Sequence, residues 1–329
     1  MRPDTIDRRT LIKKGGALLL VCSGLGLGPY LARNREIFKK SVVLMGTVAE
    51  IQVVHDDAKQ AYEIIDRAFA EIKRIETVMS RFNKNSDIGR ANRLAFEDAV
   101  PVSPETAEIL QHAFRWSRVT GGAFDPAIGK LSEIWDIKNR SKPPQENQIV
   151  HLANRFFYQH VHLTGDSAAP RLKFTHPDVQ LDLGGVAKGY AADQAIKVLT
   201  EAGLDQGLVN LGGDVAALGG KMQNPGWKIG IRDPGKPGTI AEVLELRNQA
   251  VATSGNYEQY FIAESSLYHH LIDPSLARPG RTSFHSLSII GPNSCDTDAL
   301  ATGLFFFQQN KTNQILASNT EGFRAIRMG

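Results

Sequence analysis

An apolar run, two glycines and a lysine follow one another in residues 181–190, which read LDLGGVAKGY. The apolar run ends at Leu183, Gly184 and Gly185 turn the chain, and Lys188 falls in the first turns of a predicted helix. Glycines let a ligand approach the backbone, and the start of a helix directs amide groups at an anion. The segment therefore predicts a phosphate-binding site, and an ordinary strand–turn–helix connection is the alternative.

A second segment, residues 296–302 (DTDALAT), offers oxygen ligands for a metal ion. We expect Asp296 or Thr297 to cap a helix, which places Asp298 and Thr302 four residues apart on one helix face. Carboxylate and hydroxyl oxygens suit Mg²⁺, which also takes water and substrate phosphate as ligands. The alternative is a capping acid and a threonine bonded to its own helix. A phosphate site and a metal site in one chain together indicate nucleotide or dinucleotide chemistry.

Two loops and one strand end carry further side chains that could contact a ligand. Residues 121–126 (GGAFDP) follow a predicted helix end and contain an aromatic ring and an acid, and Phe82 lies in polar surroundings after a long predicted helix. Residues 269–273 (HHLID) end a predicted strand, where alternation turns one histidine inward. Local packing is the alternative for each, but an inward histidine beside a phosphate site is a candidate general base.

Length, charge and cysteine content limit the class of protein. A chain of 329 residues can bury a large core, as one large domain or two smaller ones. A formal net charge of +3 is too small to indicate a nucleic-acid partner. The two cysteines, Cys22 and Cys295, predict no disulfide, because Cys22 falls inside a predicted targeting segment.

The first 33 residues have the composition of an export signal. Paired arginines, Arg8 and Arg9, precede two lysines and a short apolar, glycine-rich run over residues 15–28. This arrangement is typical of a signal peptide, and the paired arginines favour the twin-arginine route to the periplasm. We therefore predict a signal over residues 1–33 and one domain over residues 34–329. Cleavage and retention as an inner-membrane anchor both stay open, and a cytoplasmic protein with a basic tail is the alternative.

The elements that position these residues follow from hydrophobic spacing. Residues 58–80 predict a long amphipathic helix, residues 103–105 (SPE) open a second helix, and residues 81–93 are polar and predict a loop. The remaining predictions are strands over 44–54, 179–183 and 207–211, a helix over 187–202, strands over 227–231, 243–246, 250–253, 267–272 and 287–290, and a helix over 298–309. Helix-flanked strands followed by a strand-rich half indicate an α+β protein.

Eight ordered blocks of this sequence together closely resemble the ApbE family of FAD:protein FMN transferases. They are residues 45–47, 79–82 with 86–88, 121–126, 181–191, 209–214, 253–255, 270–274 and 298–302. The resemblance extends over nearly everything from Met45 onward. It implies an α+β, T-fold-like architecture in which layered sheets flanked by helices surround a central flavin-binding cleft.

The resemblance also implies an activity and a set of site residues. Family members bind FAD as substrate and, with Mg²⁺, transfer FMN to a threonine or serine hydroxyl of a partner protein, which releases AMP. The implied FAD contacts are Met45, Phe82, Ala123, Phe124, Asp125, Asp182, Lys188 and Ile272. The implied Mg²⁺ ligands are Gly185 through its carbonyl, Asp298, Ala301 and Thr302. His270 matches the histidine that assists deprotonation of the acceptor hydroxyl.

One segment departs from the family pattern. The family usually follows its Asp-Pro pair with Thr-Gly, whereas residues 273–277 of this chain read DPSLA. Loss of that glycine predicts a different shape for this loop, while the metal and phosphate segments are intact.

Two other functions compete with FMN transfer. A Mg²⁺-dependent FAD pyrophosphatase would give FMN and AMP from the same site, and Phe82 favours transfer because related hydrolases can lack an aromatic residue there. A non-catalytic periplasmic flavin-binding protein would need no metal, so Asp298 and Thr302 argue against it. The expected acceptor is a redox membrane protein of the envelope. The twin-arginine pattern is similar to that of family members accompanying nitrous-oxide reduction, and the identity of the acceptor stays open.

Overall fold

The computed structural model of the chain describes residues 35–222, 226–236, 238–319 and 321–329. The predicted export signal lies outside these described residues. The helices are α1 Ala58–Met79, α2 Asp87–Leu94, α3 Pro104–Val119, α4 Gly129–Trp135, α5 Glu146–Ile149, α6 Ala187–Glu201, α7 Ser294–Leu304 and α8 Gln309–Asn319. The strands are β1 Glu36–Leu44, β2 Thr47–His55, β3 Val100–Pro101, β4 Val161–Thr164, β5 Arg171–Phe174, β6 Gly207–Leu211, β7 Asp214–Leu218, β8 Trp227–Arg232, β9 Ile240–Leu246, β10 Ala250–Gly255, β11 Tyr260–Ala263, β12 Ser266–His269, β13 Ile272–Asp273, β14 Arg278–Pro279, β15 Ser286–Gly291 and β16 Arg324–Met328.

A seven-stranded antiparallel sheet, in the order β1-β2-β6-β7-β10-β15-β16, forms the centre of the fold. Helices α1, α6 and α7 pack on one face, and the β8–β9 hairpin packs on the other. Val209 and Ala252 enter the core on the helical side, whereas Leu208 and Val251 pack in a second core with Trp227 of the hairpin. Because both faces are buried, the central strands are apolar along their length.

Helices α6 and α7 are tied together at the start of α7. The Asn293 side chain caps α7 by accepting a hydrogen bond from the Asp296 amide at 2.8 Å. On α6, the carboxylate of Asp193 accepts hydrogen bonds from the Ser294 and Cys295 amides, each at 2.8 Å. A negative charge at a helix N-terminus is stabilising, and these bonds also fix the position of α7 against α6.

The start of α7 differs from the sequence prediction. Neither Asp296 nor Thr297 is the cap, because the helix begins at Ser294, one turn earlier than expected. The Asp296 carboxylate instead accepts a hydrogen bond from Trp116 Nε1 at 2.6 Å and contacts His112 Nδ1 at 3.1 Å. This acid therefore joins α7 to α3. The helix also ends at Leu304, before the predicted limit of 309.

Three other predicted elements were wrong in detail. Residues 81–93 include helix α2, whose N-cap Ser86 accepts from the Gly89 amide at 2.8 Å. The backbone at Leu181 pairs with the Asn92 side chain rather than with a strand, so residues 179–183 form no ladder beyond a bridge at Gln180. The predicted strand over 44–54 corresponds to β2 but starts too early, because Leu44 ends β1 and the β1–β2 turn lies at Met45 and Gly46.

The α+β class and several elements are confirmed. Helices α1, α3 and α6 match their predicted positions, as do strands β6, β8, β10 and β15. The predicted strand over 267–272 is divided, because β12 ends at His269 and β13 starts at Ile272. Within the described part of the chain, no helix is both long and apolar enough to cross a membrane.

Candidate active site

A lysine between two buried carboxylates forms the centre of the site. Lys188 Nζ on α6 lies 2.7 Å from Asp214 Oδ2 at the start of β7 and 3.3 Å from Asp298 Oδ2 on α7. Both carboxylates are buried, and the lysine side chain is partly exposed. The Gly189 amide also donates to Asp298 Oδ2, at 3.2 Å. These contacts bring together the two segments that the sequence predicts to bind phosphate and metal.

The charges of this group do not cancel. Burial alone would lower the pKa of the Lys188 ammonium, but Asp214 and Asp298 outweigh it and hold that pKa above its ordinary value. Burial, together with repulsion from Asp214, raises the pKa of Asp298. Two carboxylates thus share one ammonium group in a buried place. A further cation would relieve the repulsion between them.

Oxygen donors suited to such a cation adjoin Asp298. Thr302 lies one turn further along α7, and a Cβ atom on Gly185 would be 3.0 Å from Thr302 Oγ1, so the backbone at Gly185 passes directly against this hydroxyl. Ala301 is buried in the same helix. The oxygen-rich donor set and the excess negative charge fit a hard divalent cation such as Mg²⁺.

The glycine turn before α6 is braced by Asp182. Its Oδ1 atom accepts a hydrogen bond from the Gly184 amide at 3.0 Å, and its Oδ2 atom lies 3.2 Å from Arg81 Nε. The amides of Ala187 and Gly189 already have partners within the protein, Leu183 and Asp298. Lys188 is therefore the main positive group that this segment offers to a phosphate.

The loop over residues 121–126 packs against the same region. Phe124 is buried, and its ring lies 3.3 Å from the place where a Cβ on Gly185 would be. Asp125 is also buried, and its oxygens accept hydrogen bonds from the amides of Ala127 at 2.8 Å and Tyr158 at 3.1 Å. Burial raises the pKa of Asp125 to about 7. Both side chains hold this loop in place, and Ala123 precedes them in it.

Phe82 forms an exposed aromatic surface near Asp182. Its side chain is 82% exposed, and the Arg81 guanidinium lies 4.5 Å from the ring centroid while also contacting Asp182. Met45 occupies the β1–β2 turn, where its φ is 52° and its amide donates to Glu76 Oε1 at 2.9 Å. A large exposed ring anchored by a cation can stack on a flat ligand.

The neighbouring histidines His269 and His270 have different surroundings. His269 is buried, and its ring nitrogens contact the Gly280 carbonyl at 2.7 Å and the Leu271 amide at 3.2 Å. His270 Nδ1 is a buried atom that has no hydrogen-bond partner among the described residues. Burial and the adjacent His269, with a smaller effect of Lys188, lower the pKa of His270 to about 4. This imidazole is neutral near pH 7 and can accept a proton.

Nine of the thirteen predicted site residues fall into three groups. In the first group, Lys188 contacts Asp298, whose carboxylate also accepts from the neighbouring Gly189 amide. Thr302 and Phe124, of the same group, both lie close to Gly185. Asp182 and Phe82 are joined through Arg81. His270 lies between β12 and β13, and the buried Ile272 is the first residue of β13.

Sequence reasoning missed Asp214 as a site residue. It appeared only within the block over residues 209–214, as part of a family pattern. The available signal was an acid at the start of an otherwise apolar run, DVAAL, which becomes the buried strand β7. A buried carboxylate needs a partner, and that partner is Lys188.

Fold and site together define an α+β protein with a buried lysine–carboxylate centre suited to a metal ion and a phosphate ester. The sequence model of the ApbE family matches residues 45–327, and the chain belongs to that family. The predicted family is therefore confirmed.

Relatives extend over most of the chain. A FAD:protein FMN transferase of Treponema pallidum is 32% identical over 315 residues, which are 92% of this chain and 87% of the relative. One of Escherichia coli K12 is 27% identical over 276 residues, 83% of this chain and 79% of the relative. The crystal structure of the ApbE protein of Thermotoga maritima superposes with a TM-score of 0.81 at 28% identity, covering 89% of this chain and 94% of that one. The names of the two sequence relatives agree with the prediction of a transferase, and the superposition confirms the predicted fold.

Proposed function

We propose that this protein transfers FMN from FAD to a threonine or serine hydroxyl of an acceptor protein, with Mg²⁺, and releases AMP. The observation that carries the proposal is Lys188 between Asp214 and Asp298, with Thr302 and Gly185 alongside. A buried centre that combines one ammonium with an excess of carboxylate and hydroxyl oxygens suits a metal-bound pyrophosphate. The names of the relatives support flavin transfer in general.

The residues that would hold Mg²⁺ are Asp298, Thr302 and the carbonyls of Gly185 and Ala301. When bound, the metal neutralises pyrophosphate charge and stabilises the negative charge that develops on the leaving AMP. Lys188 would contact the phosphate oxygens. Its neighbours Asp214 and Asp298 keep it protonated throughout, so it acts as a fixed positive charge.

The flavin end of FAD would lie along the exposed ring of Phe82, with Arg81 behind it. Arg81 also fixes Asp182 beside the glycine turn. The aromatic surface and the phosphate cradle, by which we mean Gly184, Gly185 and Lys188, therefore share one support. An aromatic surface of this kind holds a planar ring system without covering its edges.

His270 would take the proton from the acceptor hydroxyl as that oxygen attacks the phosphorus of the FMN moiety. The bond between this phosphorus and the AMP oxygen breaks, and AMP leaves with the electron pair. The His270 residue is partly exposed, and the neutral form of its imidazole can accept this proton. General-base assistance of this kind typically contributes about 10²–10⁴-fold in rate.

The location of this activity rests on the sequence alone. Arg8, Arg9 and the apolar run after them support export to the periplasm by the twin-arginine route. A redox membrane protein of the envelope is then the acceptor class, and attachment of this protein to the inner membrane is compatible with the same signal.

The test combines the purified protein, FAD and Mg²⁺ with an envelope extract from cells lacking the gene. We expect AMP release, together with flavin fluorescence that remains on an acceptor band after denaturation, and mass spectrometry should place FMN on a threonine or serine. Asp298→Ala should abolish both signals, while Asp98→Ala, a surface control, should not. FMN and AMP without any labelled acceptor would identify a pyrophosphatase. Full activity of Asp298→Ala in metal-free buffer would contradict the metal role.

A further inference from the structure

The ammonium group of Lys188 is closer to Asp214 than to Asp298. Its Nζ atom lies 2.7 Å from Asp214 Oδ2 and 3.3 Å from Asp298 Oδ2. Asp214 belongs to the central sheet, and its side chain is only 5% exposed. Asp298 belongs to α7 and has two other neighbours of functional interest, the Gly189 amide and the hydroxyl of Thr302 one turn away. The two acids therefore contact Lys188 from different secondary-structure elements, β7 and α7.

A divalent cation and Lys188 are both attracted to Asp298, and they repel each other. Two positive charges at a distance of a few ångströms raise each other's energy unless a second anion stands behind one of them. Asp214 is such an anion for Lys188. Among the described residues, Lys188 is the cationic side chain with which Asp214 forms an ion pair. The arrangement supplies one carboxylate for the lysine and leaves another for a metal ion.

We infer that Asp214 is a positioning residue: it anchors Lys188 at the phosphate cradle and keeps the ammonium group from being drawn onto Asp298. The inference rests on the proposed function, since it assigns to Lys188 the phosphate groups of FAD. Without Asp214, Lys188 would pair with Asp298 alone. The ammonium group would then lie closer to the proposed metal ligand Asp298 and further from the phosphate groups of the substrate.

The anchoring role and a simple charge effect predict opposite changes in FAD affinity. If Asp214 only contributes negative charge, Asp214→Asn should tighten the binding of the anionic pyrophosphate. If Asp214 positions Lys188, the same substitution should weaken binding. The sign of the change therefore separates the two roles, and measurement in EDTA removes any contribution of Asp214 as a metal ligand.

The experiment is a double-mutant cycle on FAD dissociation constants, measured in EDTA by quenching of flavin fluorescence. We expect Asp214→Asn to weaken FAD binding by about tenfold, as for loss of one charge-assisted contact. Lys188→Met should weaken binding at least as much. The double variant should bind no more weakly than Lys188→Met, because Asp214 then has nothing to position.

Several outcomes would overturn the inference. Unchanged or tighter FAD binding by Asp214→Asn would do so, and so would a further tenfold loss in the Lys188→Met background. If Asp214→Asn does not fold, Asp214→Glu takes its place in the cycle, with a smaller loss expected that again disappears with Lys188→Met. Absence of FAD binding by the unmodified protein, in EDTA and in Mg²⁺ alike, would instead contradict the proposed function itself.

Discussion

Gly189 on α6 and Ser294 on α7 approach so closely that a Cβ atom on Gly189 would lie 2.2 Å from the Ser294 carbonyl oxygen. The obstacle is backbone, which cannot rotate away as a side chain can. The two helices that carry Lys188 and Asp298 approach each other closely at this point, and the Gly189 amide itself donates to Asp298. The geometry of the charged centre therefore depends on a residue without a side chain.

Gly189→Ala should separate these helices and damage both stability and activity. Overpacking against a rigid neighbour typically costs about 1–3 kcal/mol. We expect a lower midpoint of thermal unfolding and a weaker response of AMP release to Mg²⁺, because Asp298 shifts with α7. Lys197→Ala, an exposed change on the same helix, is the control and should alter neither. Normal stability and Mg²⁺ response in Gly189→Ala would show that the contact is adaptable.

His270→Asn should separate catalysis from binding. The variant keeps a polar group but cannot act as the base, so FMN transfer should fall by about 10²-fold or more while the FAD dissociation constant changes little. Single-turnover transfer and FAD titration measure the two quantities. If transfer falls only in proportion to FAD affinity, His270 is a scaffold residue, and Asp273 becomes the next candidate base.

The adjacent His269→Asn provides the matched comparison. His269 is held by Gly280 and Leu271 inside the protein, so its loss should lower the free energy of unfolding by roughly 1–3 kcal/mol, as for a buried hydrogen bond. The transfer rate of the folded fraction should stay near normal. A rate loss as large as that of His270→Asn would mean that the pair acts as a unit.

The pair of His112 and Asp296 should make stability depend on pH. The hydrogen bond to Asp296 raises the pKa of His112 in the folded protein. A raised pKa means that the folded state binds the proton more tightly than the unfolded state, so the pair stabilises fully below the ordinary histidine pKa of about 6.5. This contribution is lost as the pH rises through the higher folded-state pKa.

His112→Gln should therefore lower the free energy of unfolding more at mildly acidic than at alkaline pH. Urea unfolding at about pH 6 and at about pH 9 measures the two free energies of unfolding, because these pH values lie on either side of the raised histidine pKa. Gln111→Ala, an exposed change on the same helix that removes no ionisable group, should give equal changes at the two pH values. Equal losses in His112→Gln would assign the contact a packing role without a charge component.

Arg8→Lys combined with Arg9→Lys should retain the protein inside the cell if the twin-arginine proposal is correct. The signal depends on the paired guanidinium groups, so two lysines keep the charge and remove the motif. Cell fractionation followed by immunoblotting measures the distribution, with Lys13→Arg and Lys14→Arg together as the control. Export of the double arginine variant at its normal level would remove the twin-arginine interpretation.

The sequence was sufficient for the parts of the site that depend on local spacing. The glycines before α6 and the four-residue interval between Asp298 and Thr302 place side chains through the geometry of one turn or one helix. Helix α1 could be predicted for the same reason, because its apolar residues repeat with the helical period. In each case the controlling interactions lie within a few residues of one another.

Contacts between segments that are distant in the sequence could not be predicted from local spacing. Asp214 acquires its role from Lys188 on another element, and no local pattern encodes that pairing. Residues 179–183 have the composition of a strand, but the Asn92 side chain satisfies the backbone at Leu181 in place of a neighbouring strand. Helix α2 was hidden for the opposite reason, since its sequence is polar and its start depends on the Ser86 cap.

The lysine–carboxylate centre also determines when during folding the protein can first hold its substrate. Lys188 and Asp298 are 110 positions apart along the chain, and α7 must dock before the centre exists. Contacts of such long sequence separation form late, after the local helices and hairpins. A nascent chain that ends before α7 has Lys188 and Asp214 but no complete site. Binding of FAD at this centre, as proposed above, would therefore require the finished fold, and bound FAD would stabilise that state alone.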